Sequence, residues 1–401
     1  MLEKLKEVEG IDKTGTNIPE EVEKLKEEFV DYIIGSKIKE AYDWISNLYV
    51  VLEELKEKLS IKGWLFSREM KSFVENPKKH LVKKLFLYFH DLVRGRITAE
   101  EFFSKGRQAV NSSFGSNMRS IYQIWGFSSI LLGLAEKDFK LSYPEHGYLS
   151  FDRTGKQKSG TIPPNAVVSD IFGRSYSFFI EAPRPIAWED GNDLQKVWKL
   201  YSTLRPDMLI YKGFYMDIVD LSGNIPIKRP NYIIEFKELD DWWKRWRYLK
   251  GYKPLSGNEW RARWIKGLYE GLAEVLGATL KDNMPEFAQD KGKRIKEYKI
   301  IDLYKSIYNP DKGVVISRTK IDEQVVSELS SENILVIDDT GFSSEKLSPI
   351  VDELLSGSIA NINYKDLAFE FAMERREEFV EWIINKFKKL GINNIDISLT
   401  K

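Results

Sequence analysis

Cysteine is absent from this chain, which excludes disulfide staples, thiol nucleophiles, zinc fingers and iron–sulfur clusters together. Histidine is scarce: His80, His90 and His146 are too scattered for an imidazole metal site, and no HExxH pair occurs. Net charge is also missing, since 61 Lys and Arg meet 61 Asp and Glu, so an anionic partner must be met by a local basic patch. Long apolar runs are lacking. Ile130 to Ala135 falls far short of the roughly 20 residues of a spanning helix. The N-terminal MLEKLKEVEG has no apolar signal-peptide core, so a cytoplasmic protein with no membrane partner is expected. What remains is globular: 42% hydrophobic, 13% aromatic and 30% charged residues over 401 positions, enough for two or three domains with their own cores. Abundant Lys and Glu without Cys is also a thermophile pattern.

Residues 1–115 read as a helical region that binds DNA or a partner. Val22, Leu25, Phe29 and Ile33 recur at helical spacing behind Pro19, and Ile38, Ala41, Ile45, Leu48, Leu52, Leu55 and Leu59 mark a second, longer stripe after Gly35. Lys78, Lys79, Lys83 and Lys84 form a basic run that a solvated helix face also explains. A mostly apolar helix is expected from Met118 to Glu136, then loop composition with short strands at most over 140–174. Gly155 to Thr161 only superficially resembles a phosphate loop, lacking the GxxxxGK[ST] order, so an ATP-driven step would fall to a separate ATPase partner. Strands are expected at Ser175–Ala182, Asp207–Tyr211, Tyr232–Lys237, Gly313–Ser317 and Ile334–Ile337, with helices at about 259–276 and 364–390. The fold class is therefore α/β, with a core over 116–345 and a helical C-terminal region over 346–401.

Within the β-rich part stand Arg205-Pro206-Asp207 and, 28 positions after the Asp, Glu235-Phe236-Lys237. Strand alternation sends Glu235 and Lys237 to one face and Phe236 to the other. If the strand of Asp207 pairs with it, two carboxylates and an amine converge. Hard oxygen ligands of this kind suit Mg²⁺ or Mn²⁺, which binds substrate phosphate through one or two carboxylates and can activate a water against a phosphodiester. ExK alone is a cheap triplet, occurring also at Glu54, Glu69 and Glu297. At 235 it ends an apolar β run, where charges are costly unless paired or ligating. A strand-end ion pair with Asp207 as a turn residue is the plainer alternative.

These residues resemble the PD-(D/E)xK nuclease superfamily, in which Pro-Asp enters the second strand and (Asp/Glu)-x-Lys lies in the third. The resemblance implies a restriction-endonuclease-like fold, a mixed β-sheet core flanked by helices. It also implies that Asp207 and Glu235 hold Mg²⁺ and that Lys237 is the catalytic lysine. Ser120-Ile-Tyr-Gln-Ile-Trp125 is similar, more weakly, to the YExW helix of McrC-type nucleases, with Gln123 in the place of the acid. Either fewer carboxylates serve, or Glu136 or Glu181 substitutes as a metal ligand. Lys266 and Tyr269 match a polar residue and Tyr found after the third strand in many members, or are a surface Lys and a packing Tyr.

The basic patch is expected between Trp242 and Lys266, where Lys244, Arg245, Arg247, Lys250, Lys253, Arg261, Arg263 and Lys266 stand against Glu259 alone. The same stretch holds five of the 11 tryptophans, which either stack on bases or pack a helix onto the sheet. The expectation is a metal-dependent endonuclease acting on DNA, with RNA open. Its rival is a degenerate nucleic-acid-binding or scaffolding protein, favoured by Gln123. The sequence does not fix an oligomeric state; cutting both strands of a duplex commonly needs two active sites, which leaves a homodimer open.

Overall fold

The computed structural model describes residues 1–12, 18–152, 161–182, 205–220, 227–249, 293–356 and 372–389. The helical region opens with α1 (Leu2–Val8), α2 (Glu20–Ile34) and α3 (Lys37–Lys58). Strand β1 (Gly63–Leu65) and the short helices α4 (Arg68–Glu75), α5 (Pro77–Lys84) and α6 (Phe86–Val93) follow. Helix α2 starts behind Pro19 and stops at Gly35, which takes a positive φ of 55°, and α3 carries the expected stripe inward on Leu48, Leu52 and Leu55.

Helix α7 (Ala99–Ala135) is much longer than the apolar stretch after Met118 suggests. It begins at a capping box: Thr98 Oγ1 accepts from the Glu101 backbone N–H at 3.2 Å, and the Glu101 carboxylate accepts from the Thr98 N–H at 3.2 Å. It runs without a break through residue 115, so the helical region and the sheet share one rod. Apolar packing is continuous with it, from Leu5 through Phe102 and Trp125 to Leu354.

The central sheet has seven strands: β2 (Lys140–Tyr143), β4 (Ala166–Ser169), β5 (Ser175–Ile180), β6 (Met208–Lys212), β7 (Tyr232–Lys237), β10 (Lys312–Ser317) and β11 (Ile334–Ile337). Outside it, β3 (Tyr148–Ser150) pairs with β1, and β8 (Trp246–Leu249) with β9 (Lys293–Lys296). The spatial order β11-β10-β7-β6-β5-β4-β2 makes β5–β6–β7 an antiparallel meander, with β10 and β11 added parallel to β7. The sheet is thus mixed, and the protein α/β. Segment 140–174, read as loop with short strands at most, supplies three short strands, two of them in the main sheet.

Helices cover both sheet faces. Helix α7 lies over Ile234 and Phe236, while α8 (Ile300–Tyr308) and the turn Trp242–Lys244 cover Leu209 and Ile233 on the other face. Helix α9 (Glu323–Ser331) connects β10 to β11, and α10 (Ser348–Leu355) packs against α7, where Gly133 leaves room for Val351. The terminal helix is described as α11 (Arg376–Lys389). Among the described residues no helix is long and apolar enough to cross a membrane.

Candidate functional site

Register decides where the charged residues meet. In the antiparallel β6–β7 pair Met208 sits opposite Ile234, which brings Asp207, one residue before β6, level with Glu235. The carboxylate of Glu235 accepts from the Asp207 backbone N–H at 3.2 Å, and Asp207 Oδ2 accepts from the Phe236 N–H at 2.8 Å. Lys237 lies two residues on along the same face, its Nζ 2.9 Å from Glu235 and 3.1 Å from Glu297. Glu235 is 4% exposed and Lys237 9%. A buried ammonium is costly unless compensated, and here two carboxylates compensate it. Glu297, 60 positions beyond Lys237, gave no signal in the sequence: it belongs to one of the ExK triplets discounted as commonplace.

Gln123 reaches the same point from α7, donating from Nε2 to Asp207 Oδ1 at 2.6 Å. That contact depends on Gly126 one turn later, because a Cβ there would overlap the Phe236 ring; only glycine lets the helix come this close to β7. Arg119, one turn before Gln123 on the same face, lines the cleft and pairs with Glu238 at 3.4 Å. Its four-residue spacing from Gln123 was the sequence signal, and it went unused.

Glu181 closes one side of the cleft. Its backbone N–H donates to the Asp207 carbonyl at 2.8 Å, and its carboxylate pairs with Arg205 at 3.3 Å. Its φ of +47° is uncommon for a residue with a Cβ, and such strain gathers at functional sites. Glu136, the other acid considered, caps the C-terminal end of α7 and is exposed away from this cleft.

The environment tunes the acids unequally. Burial, and then the neighbouring Glu235 charge, push the Asp207 carboxyl well above its ordinary value, despite Lys237 and the Phe236 N–H. Burial alone would discharge Lys237, but Glu235, Glu297 and Asp207 outweigh it and hold the ammonium above the usual lysine value. Lys237 is therefore a fixed cation and hydrogen-bond donor here, not a free base. Because the folded state binds the Asp207 proton more tightly than the unfolded chain, this group favours folding fully below its unfolded value of 3.8, and that contribution is lost as pH rises through the folded value. In EDTA, the melting temperature of Asp207→Asn should accordingly gain on wild type from acid to neutral pH. A difference that does not vary with pH would contradict it.

The basic segment divides. Arg245 lines the cleft, paired with Asp241 at 2.8 Å, and Lys244 is exposed beside the Trp243 ring. Trp242 and Trp243 are packing residues: both are buried, with indole N–H groups donating to Ser317 Oγ at 2.9 Å and to Asp322 at 3.0 Å. Arg247 lies in β8, its side chain outside the description, and Lys250, Lys253, Arg261, Arg263, Lys266 and Tyr269 lie outside the described residues, as does Gly155 to Gly160. Two of the four lysines in the Lys78–Lys84 run are committed to ion pairs, Lys78 with Asp31 and Lys84 with Glu69.

The result is a cleft of about 430 Å³ whose floor carries Asp207, Glu235 and Lys237 and whose rim carries Arg119, Arg205 and Arg245. Among the described residues no group of three or more His, Asp or Glu is arranged to hold a metal ion. The Asp207–Glu235 pair still fits Mg²⁺, which is commonly bound through one or two carboxylates with waters and substrate phosphate completing the shell. The crowding that drives Asp207 toward its protonated form is what a divalent cation would relieve. No protein-family profile, curated protein or solved structure matches this chain.

Proposed function

We propose that this protein is a metal-dependent nuclease that hydrolyses phosphodiester bonds of DNA. The observation that carries this reading is the convergence of Asp207, Glu235 and Lys237 at the ends of two paired strands, buried in a cleft rimmed by arginines. The order α7, antiparallel meander β5–β6–β7 and parallel β10 agrees with the restriction-endonuclease-like arrangement that the PD-(D/E)xK resemblance implies.

Asp207 and Glu235 would hold Mg²⁺ or Mn²⁺, which supplies an activated water and neutralises charge developing on the phosphate. The chain's own part follows from the geometry. Gln123 and the Phe236 N–H fix the orientation of the Asp207 carboxyl. Lys237, held charged between Glu235 and Glu297, offers an N–H to an attacking water or to a phosphate oxygen in the transition state. Arg119, exposed at the rim, gives phosphate oxygens a cationic donor, and Arg205 holds Glu181 in place beside them.

Incubation with supercoiled plasmid, single-stranded DNA and RNA, in Mg²⁺, Mn²⁺ or EDTA, tests this reading. Metal-dependent cutting that disappears in Asp207→Ala is expected, and cutting that survives this change would refute the assignment of the site. Cleavage of RNA alone would make the protein a ribonuclease. The scaffold reading rests on Gln123, a neutral donor in the place of an acid. Absence of calorimetric Mn²⁺ binding in both wild type and Glu235→Gln would support it.

A further inference from the structure

The cleft continues past Asp207 into a second, larger lobe of about 840 Å³ between α7 and the α4–α5 corner. The lobes share Ser116, Ser120, Gln123, Glu181, Asp207 and Phe236, so one channel runs through the carboxylates. Its chemistry changes along the way. Around Asp207 and Lys237 the lining is densely charged, with Arg119, Arg205 and Arg245 set among carboxylates, whereas the larger lobe presents a row of neutral hydroxyls, Ser112, Ser116 and Ser120, one helical turn apart on α7. Among the described residues two cations stand opposite them, Arg68, which is exposed, and Lys84, which is ion-paired with Glu69 at 2.5 Å, together with the acid Asp152. The floor between is apolar, formed with Ile124, Phe127 and Phe151, the two phenylalanine rings themselves buried and packed edge to face at 6.0 Å between centroids.

A duplex would need its two phosphate rows met by cations, and among the described residues this lobe has few. Its volume falls within the ~300–1,000 Å³ of sites that bury one small ligand. An apolar floor beneath a row of hydroxyl donors, opening from the candidate phosphate-binding centre, suits the bases and sugars of a strand that is not paired. We propose that this lobe receives the unpaired nucleotides beside the scissile phosphate, so that the substrate is a single-stranded nucleic acid or a single-stranded segment of a larger one. The inference rests on the nuclease reading of Asp207, Glu235 and Lys237, and it assigns a strand path which that reading does not require.

Fluorescence anisotropy in EDTA with a labelled thymidine 20-mer and a blunt duplex of the same length tests it. The full chain should bind the single strand about tenfold more tightly than the duplex. Ser112→Trp fills the larger lobe from an exposed helix position that does not line the carboxylate cleft, and should cost about tenfold in single-strand affinity while leaving duplex affinity unchanged. Arg68→Ala, on the opposite wall, should weaken the single strand in the same selective way and serves if the tryptophan variant misfolds. Equal affinity for the two probes, or single-strand binding that neither variant alters, overturns the proposal. Parallel cleavage in Mg²⁺ separates the two readings. Metal-dependent cutting indifferent to both variants sinks the strand path alone. No metal-dependent cutting of any substrate sinks the site reading, and the strand path with it.

Discussion

Lys237→Met should lower metal-dependent phosphodiester cleavage by roughly 10²–10³-fold, the scale on which an enzyme loses one preorganised charge donor at the transition state. The methionine keeps the length of the side chain and removes the ammonium, so packing beside Trp242 is largely retained. What it leaves behind is Glu235, 4% exposed, without its cation and with Glu297 on the same vacated position. Breaking a buried pair from one side typically costs roughly 3–5 kcal/mol, and the same variant should therefore melt well below wild type. The two effects are separable. Adding Glu235→Gln to Lys237→Met removes the stranded charge and should recover much of the stability, but no activity. Cleavage at the wild-type rate by a folded Lys237→Met would show that Lys237 takes no part in the chemistry; recovery of activity in the double variant would show that it acts only through stability.

Gly126→Ala should damage both fold and site with a single added methyl group. The new Cβ falls inside the ring of Phe236, in a core where α7 and β7 are already in contact, and overpacking of this kind costs about 1–3 kcal/mol or more where the backbone must move. The displaced element is the helix that holds Gln123 against Asp207, so cleavage per folded molecule should fall together with the melting temperature. Phe236→Leu in the Gly126→Ala background vacates the ring's space and should restore part of both. A tolerated alanine, with unchanged melting and activity, would mean that α7 does not set the position of Asp207. Gly133, whose Cβ would meet Val351 at 2.7 Å, offers a comparison on the same helix but away from the cleft; alanine there should lower stability without a matching loss of activity per folded molecule.

Local signals made much of the architecture legible. Pro19, Gly35 and the apolar stripes set α2 and α3, and the β-branched and aromatic runs around Phe178, Leu209, Ile233, Val314 and Val336 set five strands of the sheet nearly residue by residue. These elements announce themselves because their periodicity and breakers act within a few residues. Helix α7 was underestimated, since Asn111 to Asn117 is polar on its surface, and a capping box at Thr98 was needed to mark the true start. The short strands β2 and β4 could not be placed within 140–174, because strands of four residues carry too little pattern amid glycine and proline.

For the site, the sequence alone determined which groups are available: no thiol, almost no imidazole, and a Pro-Asp and an ExK that strand alternation aims at one face. That two carboxylates meet was decided by the β6–β7 register, a pairing between residues 28 apart that alternation cannot specify. That Lys237 is a fixed cation was decided by Glu297, brought in from 60 residues away. That Gln123 touches Asp207 was decided by a glycine-sized gap under α7. Residue types are written in the chain, but the distance between charges, and the burial that sets their proton affinities, exist only once strands pair and helices pack over them.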